Sequence, residues 1–211
     1  MTALAFLPFG RFGQDVEHVL SASEHFEFHT VRPGEGGPPR PAPLAVVTAG
    51  STPLAVVEAA VRAAGFGRQV LWLPLLLEPS EFSVGPWIGR GAACLECYDA
   101  RRAQHDGSQG RSDTARAVWD AAAHAQLWPH LPSQARLAAG VAIERLFCLA
   151  GEGATASRDD LRSVVRWRSA TGDLHNHRVL ARGGCEHCAV PRPARSGDPL
   201  VTLVETLAKA G

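Results

Sequence analysis

Charge of one sign, long apolar runs and cysteine are all scarce in this 211-residue chain. Its 21 basic residues are matched by 21 acidic ones. General binders of nucleic acid or of anionic membrane surfaces draw their affinity from a basic excess, so the balance argues against that class. No uninterrupted apolar stretch approaches the roughly 20 residues of a membrane span, and no basic segment precedes an apolar one at the N-terminus. These absences point to a cytoplasmic protein with neither a membrane nor a nucleic-acid partner.

Cysteine is rare but concentrated. Of the five, four form two short pairs, Cys94-Leu95-Glu96-Cys97 and Cys185-Glu186-His187-Cys188. In a reducing compartment, paired thiols serve metal binding or redox chemistry. Two C-x-x-C pairs supply the four thiolates of a closed tetrahedral site, so Cys94, Cys97, Cys185 and Cys188 are the candidate ligands of one structural zinc. Two disulfides, or unconnected surface thiols, are the alternatives. The fifth, Cys148, lies in an apolar helical run and is expected to pack as a small buried hydrophobe.

Taken in order, the chain opens as a strand-turn-helix. Residues 3–7 read as a short buried strand, Gly10 and Gly13 mark a turn, and Phe12, Val16, Val19 and Leu20 recur at helical spacing. This is how a nucleotide-binding βαβ unit begins, yet only G-x-x-G is present where the dinucleotide fingerprint uses three glycines. Phe9, Arg11 and Phe12 occupy the remaining positions, so a structural turn is expected. Residues 26–31 alternate as a second strand, and the Pro/Gly-rich piece 32–43 reads as a connection. Residues 44–48 form a continuous apolar strand, Thr52 and Pro53 open a helix to about Ala64, and Gly65 stops it. The strand from Val70 follows in parallel, with an end or bulge expected at Pro74.

The second half is more mixed. Residues 82–91 read as a tight ribbon leaving the sheet for the first cysteine pair, with a helix over 98–105 and a polar loop over 104–112. Helices are expected over 113–127 and 133–150, the latter with Ser133 as N-cap and Gly151 as stop. The second is apolar nearly all round, which places it centrally or in a subunit interface. Residues 164–168 and 174–180 alternate about Thr171-Gly172-Asp173 as a hairpin leading to Cys185, and residues 199–210 form a last helix. His175 and His177, two apart, face the same side of their strand and offer a metal or peptide contact, or merely a half-exposed face. His187 could compete as a ligand. Arg101 and Arg102 either meet an acidic peptide or are solvated, and the five tryptophans are assigned to core or interface.

These pieces together resemble the ThiF-like branch of ubiquitin-activating-type adenylating enzymes. The resemblance rests on Val84-Gly85-Pro86, on Cys94-x-x-Cys97 followed by Arg101-Arg102, on Ala138 to Glu144, and on residues 173–180 running up to Cys185-x-x-Cys188. Within that branch the chain most resembles the partner subunit found beside YcaO cyclodehydratases that make azole-containing ribosomal peptides such as bacteriocins and thiopeptides, and the match is specific at the cysteines. The resemblance implies an α/β, Rossmann-like, mostly parallel sheet of a degenerate ThiF-type fold. Residues 1–89 would form a reduced Rossmann-like βα half, and residues 90–211 a zinc-bound helical and hairpin half of the same domain. It also implies zinc on the four cysteines, pairing into a homodimer, and partnership with a precursor peptide or a YcaO-type enzyme. Working adenylating members carry a Mg²⁺-binding Asp after the strand before the crossover helix. Here Thr48 to Thr52 hold no carboxylate, and no basic cluster stands near Gly10. Phosphoryl and adenylyl transfer depend on such charge placement, so no catalytic and no cofactor-binding residues other than the zinc ligands are expected.

The leading expectation is therefore a non-catalytic, zinc-containing accessory or scaffold protein in ribosomal peptide maturation. Full-length partner subunits begin with a winged-helix domain that holds the leader peptide, whereas this sequence starts almost directly at the first strand; a truncated form is expected. The alternatives are an active ATP-dependent adenylating enzyme and a zinc-ribbon nucleic-acid module.

Overall fold

A computed structural model describes residues 2–32, 42–66, 70–79, 81–89, 92–108, 130–151 and 157–182, with residues 121 and 185. Its frame is a seven-stranded sheet in the order β2-β1-β3-β4-β5-β6-β7. The strands are β1 (Thr2–Pro8), β2 (Phe26–Thr30), β3 (Ala45–Gly50), β4 (Leu71–Glu78), β5 (Glu81–Val84), β6 (Ser163–Arg168) and β7 (Leu174–Arg178). The first four are parallel to one another, and β5, β6 and β7 join by antiparallel pairings. The sheet is thus parallel on one side and antiparallel on the other.

The parallel part follows from its sequence. In β1, Leu4 and Phe6 belong to one core and Ala5 and Leu7 to the other, so both faces are covered and the strand reads as a continuous apolar run. On one face lie α1 (Gly10–Ser21), through Phe12, Val16 and Leu20, and α4 (Pro132–Ala150), through Ala135, Ala138, Ala139, Ala142 and Leu146. On the other lies α2 (Leu54–Ala63), through Leu54, Val57 and Val61, together with Tyr98 of α3 (Leu95–Ser108). A short α5 (Arg158–Leu161) precedes β6.

Several expectations shift. Residues 81–84 do not leave the sheet: they are β5, paired to β4 on one side and β6 on the other. Pro74 does not end its strand. Its pairing with Thr48 of β3 is kept, and just past the last β4–β5 pair, at Leu75, its carbonyl still accepts the Gly85 N–H at 2.9 Å, so the strand loses only the one N–H. Helix α3 begins at once after Cys94 and runs to Ser108, beyond the expected loop start. Helix α4 opens at Pro132 rather than after Ser133, with the Leu131 N–H donating to Gln134 Oε1 at 2.7 Å. Cys148 is exposed, with its thiol against Glu144 Oε1 at 3.7 Å, because α4 turns its alanine stripe inward and Cys148 outward. The hairpin β6–β7 forms as expected, and Trp72 and Trp87 are core residues. The expected helices over 113–127 and 199–210 lie outside the described residues, save residue 121.

Candidate metal centre

The residues after β5 fold back to deliver the first cysteine pair. Trp72 and Ile88 exchange backbone hydrogen bonds of 3.0 and 2.8 Å, and the Ala93 N–H donates to Trp87 O at 3.1 Å. This short ribbon ends at Cys94, immediately before the first residue of α3. Cys94 therefore stands at the N-cap. Its Sγ accepts the Cys97 N–H at 3.4 Å, as a capping oxygen would, and its carbonyl receives the Tyr98 N–H at 3.1 Å. A thiolate there is favoured by the positive end of the helix.

One turn further along, Arg101 ties α3 to the approach of the second pair. Its Nε donates to Leu180 O at 3.2 Å and its Nη2 to Ala181 O at 3.5 Å. The next residue continues the tie, since the Arg182 N–H donates to Cys97 Sγ at 3.2 Å. Cys185 Sγ then lies 3.5 Å from Cys94 Sγ. The sulfurs of Cys94, Cys97 and Cys185 all lie within 4.8 Å of one another, and Cys97 and Cys185 are buried. Thiolates about 2.3 Å from a tetrahedral metal stand about 3.8 Å apart, close to the spacing found, whereas a disulfide needs about 2.05 Å. Three of the four expected ligands are thus assembled so that they could hold a metal ion. Cys188, the fourth, and His187 lie outside the described residues.

A buried charge cluster adjoins this centre, and sequence reasoning missed it. Glu78 and Glu81 sit directly opposite each other in the β4–β5 ladder, both nearly inaccessible. Like charges so placed repel. Arg166 of β6 contacts the Glu81 carboxylate and lies 4.0 Å from that of Glu78, and Arg102 of α3 contacts Glu78. Two guanidinium groups thus balance two carboxylates away from water. Burial pushes the Tyr98 phenol up, against the opposing pull of Arg102 and a hydrogen bond to Ser83. Arg102 is therefore not a solvated surface charge, and Arg101 is committed to the loop before Cys185. The available signal was Glu78 at the end of the apolar run Leu71 to Leu77, a position where a carboxylate demands a partner.

His175 and His177 do share a face of β7, with ring centroids 5.9 Å apart. A further pair was not anticipated: His130 Nε2 lies 2.8 Å from Asp15 Oδ2, and Arg11 is 3.2 Å from the same carboxylate. The sheet order reverses between β1 and β3, the position where open α/β sheets usually bind ligands. Here the Phe9 N–H donates to Ala49 O at 2.8 Å. A Cβ added to Gly50 would stand 2.5 Å from the Phe9 Cβ, and one added to Gly13 would stand 2.4 Å from Ala49 O. The ends of β1, α1 and β3 are closed on one another, with glycine at each closest approach.

No family profile and no curated protein matches the sequence. Solved structures do match. A chain of the E. coli microcin synthetase McbBCD complex superposes with a TM-score of 0.60 at 12% identity, over 88% of this chain and 67% of that one. The same complex with pro-MccB17 bound gives 0.59 at 15% identity, over 87% and 68%. The heterocyclase TruD gives 0.58 at 18% identity, over 89% of this chain but only 27% of TruD. The microcin C7 biosynthetic enzyme MccB in complex with N-formylated MccA gives 0.54 at 10% identity, over 89% and 67%. At these identities the likeness is one of fold: the chain has the α/β fold of microcin-synthetase and heterocyclase components. Among the described residues, no helix is long and apolar enough to cross a membrane.

Proposed function

We propose that this chain is a non-catalytic, zinc-bearing ThiF-like scaffold subunit in the maturation of an azole-containing ribosomal peptide. It would bind a precursor peptide, a YcaO-type cyclodehydratase, or both, and act as a homodimer in the cytoplasm. The observation that carries this reading is the closed switch point. On a sheet otherwise like those of McbBCD and TruD, Phe9 lies against Gly50 where a phosphate would need open backbone. The adjacent Arg11 is paired with Asp15, and Thr48 to Thr52 offer no carboxylate for Mg²⁺. Catalysis of adenylyl transfer by positioned charge has no support there.

The metal reading rests on Cys94, Cys97 and Cys185, with Cys188 as the fourth thiolate and zinc as the ion. Bound there, zinc supplies cross-linking and no open coordination position for a reactive water. The chain's own groups do the rest: Arg101, Arg182 N–H and the start of α3 hold the sulfurs in place. The test is a binding assay with a YcaO-type cyclodehydratase and its precursor peptide, paired with Mg-ATP calorimetry on the isolated protein. Micromolar capture of enzyme or peptide with no heat from Mg-ATP is expected. MccB, of like fold and also solved with ATP, favours a second reading as an adenylating enzyme. Pyrophosphate exchange that disappears with a change at Arg11 or Gly10 would establish that alternative instead.

A further inference from the structure

Between Val179 and Cys185 the chain changes what it is tied to. The Val179 N–H donates to Arg162 O at 2.9 Å, which keeps that residue on the sheet. Among the described residues the next ties go to α3. Leu180 O accepts Arg101 Nε at 3.2 Å, and Ala181 O accepts Arg101 Nη2 at 3.5 Å. Arg182 then gives its N–H to Cys97 Sγ at 3.2 Å and takes the Cys185 N–H on its own carbonyl at 3.3 Å. Each link sets the register of the next, and the last leaves Cys185 Sγ 3.5 Å from Cys94 Sγ. One guanidinium meets two successive carbonyls because its N–H groups form a rigid fork. Its Nη1 donates to Gln104 Oε1 at 2.9 Å, one turn along α3, and this fixes the fork in place.

We infer that Arg101 is the positioning residue that admits the second cysteine pair to the first, and so sets how long a bound metal stays. This deepens the metal reading above and rests on it. The two pairs are built differently. Cys94 and Cys97 share one helical turn, joined by the Cys97 N–H on Cys94 Sγ, and the ribbon through Ile88 and Ala93 anchors them to the sheet. They form a two-sulfur half-site from local bonds alone. The segment from Leu180 completes the site once Arg101 has taken hold of it, and this segment is the first to let go when the metal leaves. Arg101 acts through Leu180, Ala181 and Arg182 rather than as a ligand. Groups of this kind, outside the ligand shell but orienting it, typically contribute about 10–100-fold to metal affinity.

The test uses the full chain, loaded with Zn²⁺ to follow release and with Co²⁺ for its spectrum. Arg101→Met keeps the aliphatic stem and removes the fork, whereas Arg101→Lys keeps the charge without the fork. Zinc transfer to a chromogenic chelator should be about tenfold faster or more from Arg101→Met, and Arg101→Lys should recover little of that loss. The cobalt form of the unaltered chain should show the sulfur-to-metal charge-transfer band of a four-thiolate site. In Arg101→Met the band should fall to about half, the share of Cys94 and Cys97. Should Arg101→Met fail to fold, Gln104→Ala unpins the fork from an exposed position and should still speed release severalfold. Release unchanged in these variants, or fully restored by Arg101→Lys, would overturn the role of Arg101 while leaving the metal site standing. Faster release with an undiminished cobalt band would overturn it too, because the second pair would then still be seated. An unaltered chain that takes up neither metal would overturn both the role and the metal reading. None of these outcomes bears on whether the chain binds a cyclodehydratase.

Discussion

The parallel and antiparallel halves of the sheet are held together by different means. From β1 to β4 the chain relies on apolar side chains on both faces and on backbone brought so close that Gly13 and Gly50 cannot be enlarged. From β5 to β7 it relies on sulfur and charge: three cysteines gathered by Arg101 and Arg182, and two buried carboxylates held by Arg102 and Arg166. The first kind of order is written in apolar runs within single strands and helices. The second is built from residues tens of positions apart, so it tolerates substitutions of shape and fails on loss of a partner. The two halves should accordingly break in opposite ways, one when an atom is added and the other when one is removed.

The largest effect should come from the sulfurs. Cys94→Ser or Cys185→Ser should abolish metal retention and cooperative folding together, since structural zinc contributes on the order of 10 kcal/mol to small metal-dependent folds. Elemental analysis of the unaltered protein should find about one zinc per chain, and a chelator should reproduce the loss seen by circular dichroism. Next comes the charge cluster. Arg166→Met leaves Glu78 and Glu81 facing each other, and urea unfolding should show a loss of about 3–5 kcal/mol, partly recovered when Glu81→Gln is added. In the parallel half, Gly13→Ala drives a methyl into Ala49 O and should cost about 1–3 kcal/mol in the same assay. The smallest change should be Cys148→Ser, within about 0.5 kcal/mol, because that thiol is exposed. A Cys148→Ser loss as large as that of Arg166→Met would show that the contrast drawn here is misplaced.

The difference between the halves also explains what could be read in advance. The strands β1, β3 and β4 and the helices α1 and α2 were legible because apolar periodicity and the stop at Gly65 are local signals. The cysteine pairs were legible through spacing, which the ligand chemistry dictates. The β5 strand was not, because the glycines and proline after Val84 read as a ribbon from Phe82 onward until the β4 and β6 ladders are in place around it. Arg102 was misassigned for the same reason: a charge on a helix looks solvated unless its distant partner is known. Cys148 failed in the other direction. Helix α4 reads as apolar nearly all round, so its composition did not reveal which side carries the alanines that fit against the sheet.

Cys94 and Cys185 lie 91 residues apart in sequence. A chain synthesised at about 5–20 residues per second therefore completes its first cysteine pair some 5–20 seconds before its second begins to appear. For that interval Cys94 and Cys97 lack Cys185, the third sulfur of their cluster. The order of manufacture makes this junction late to close, and leaves the early thiols open to oxidation in the meantime.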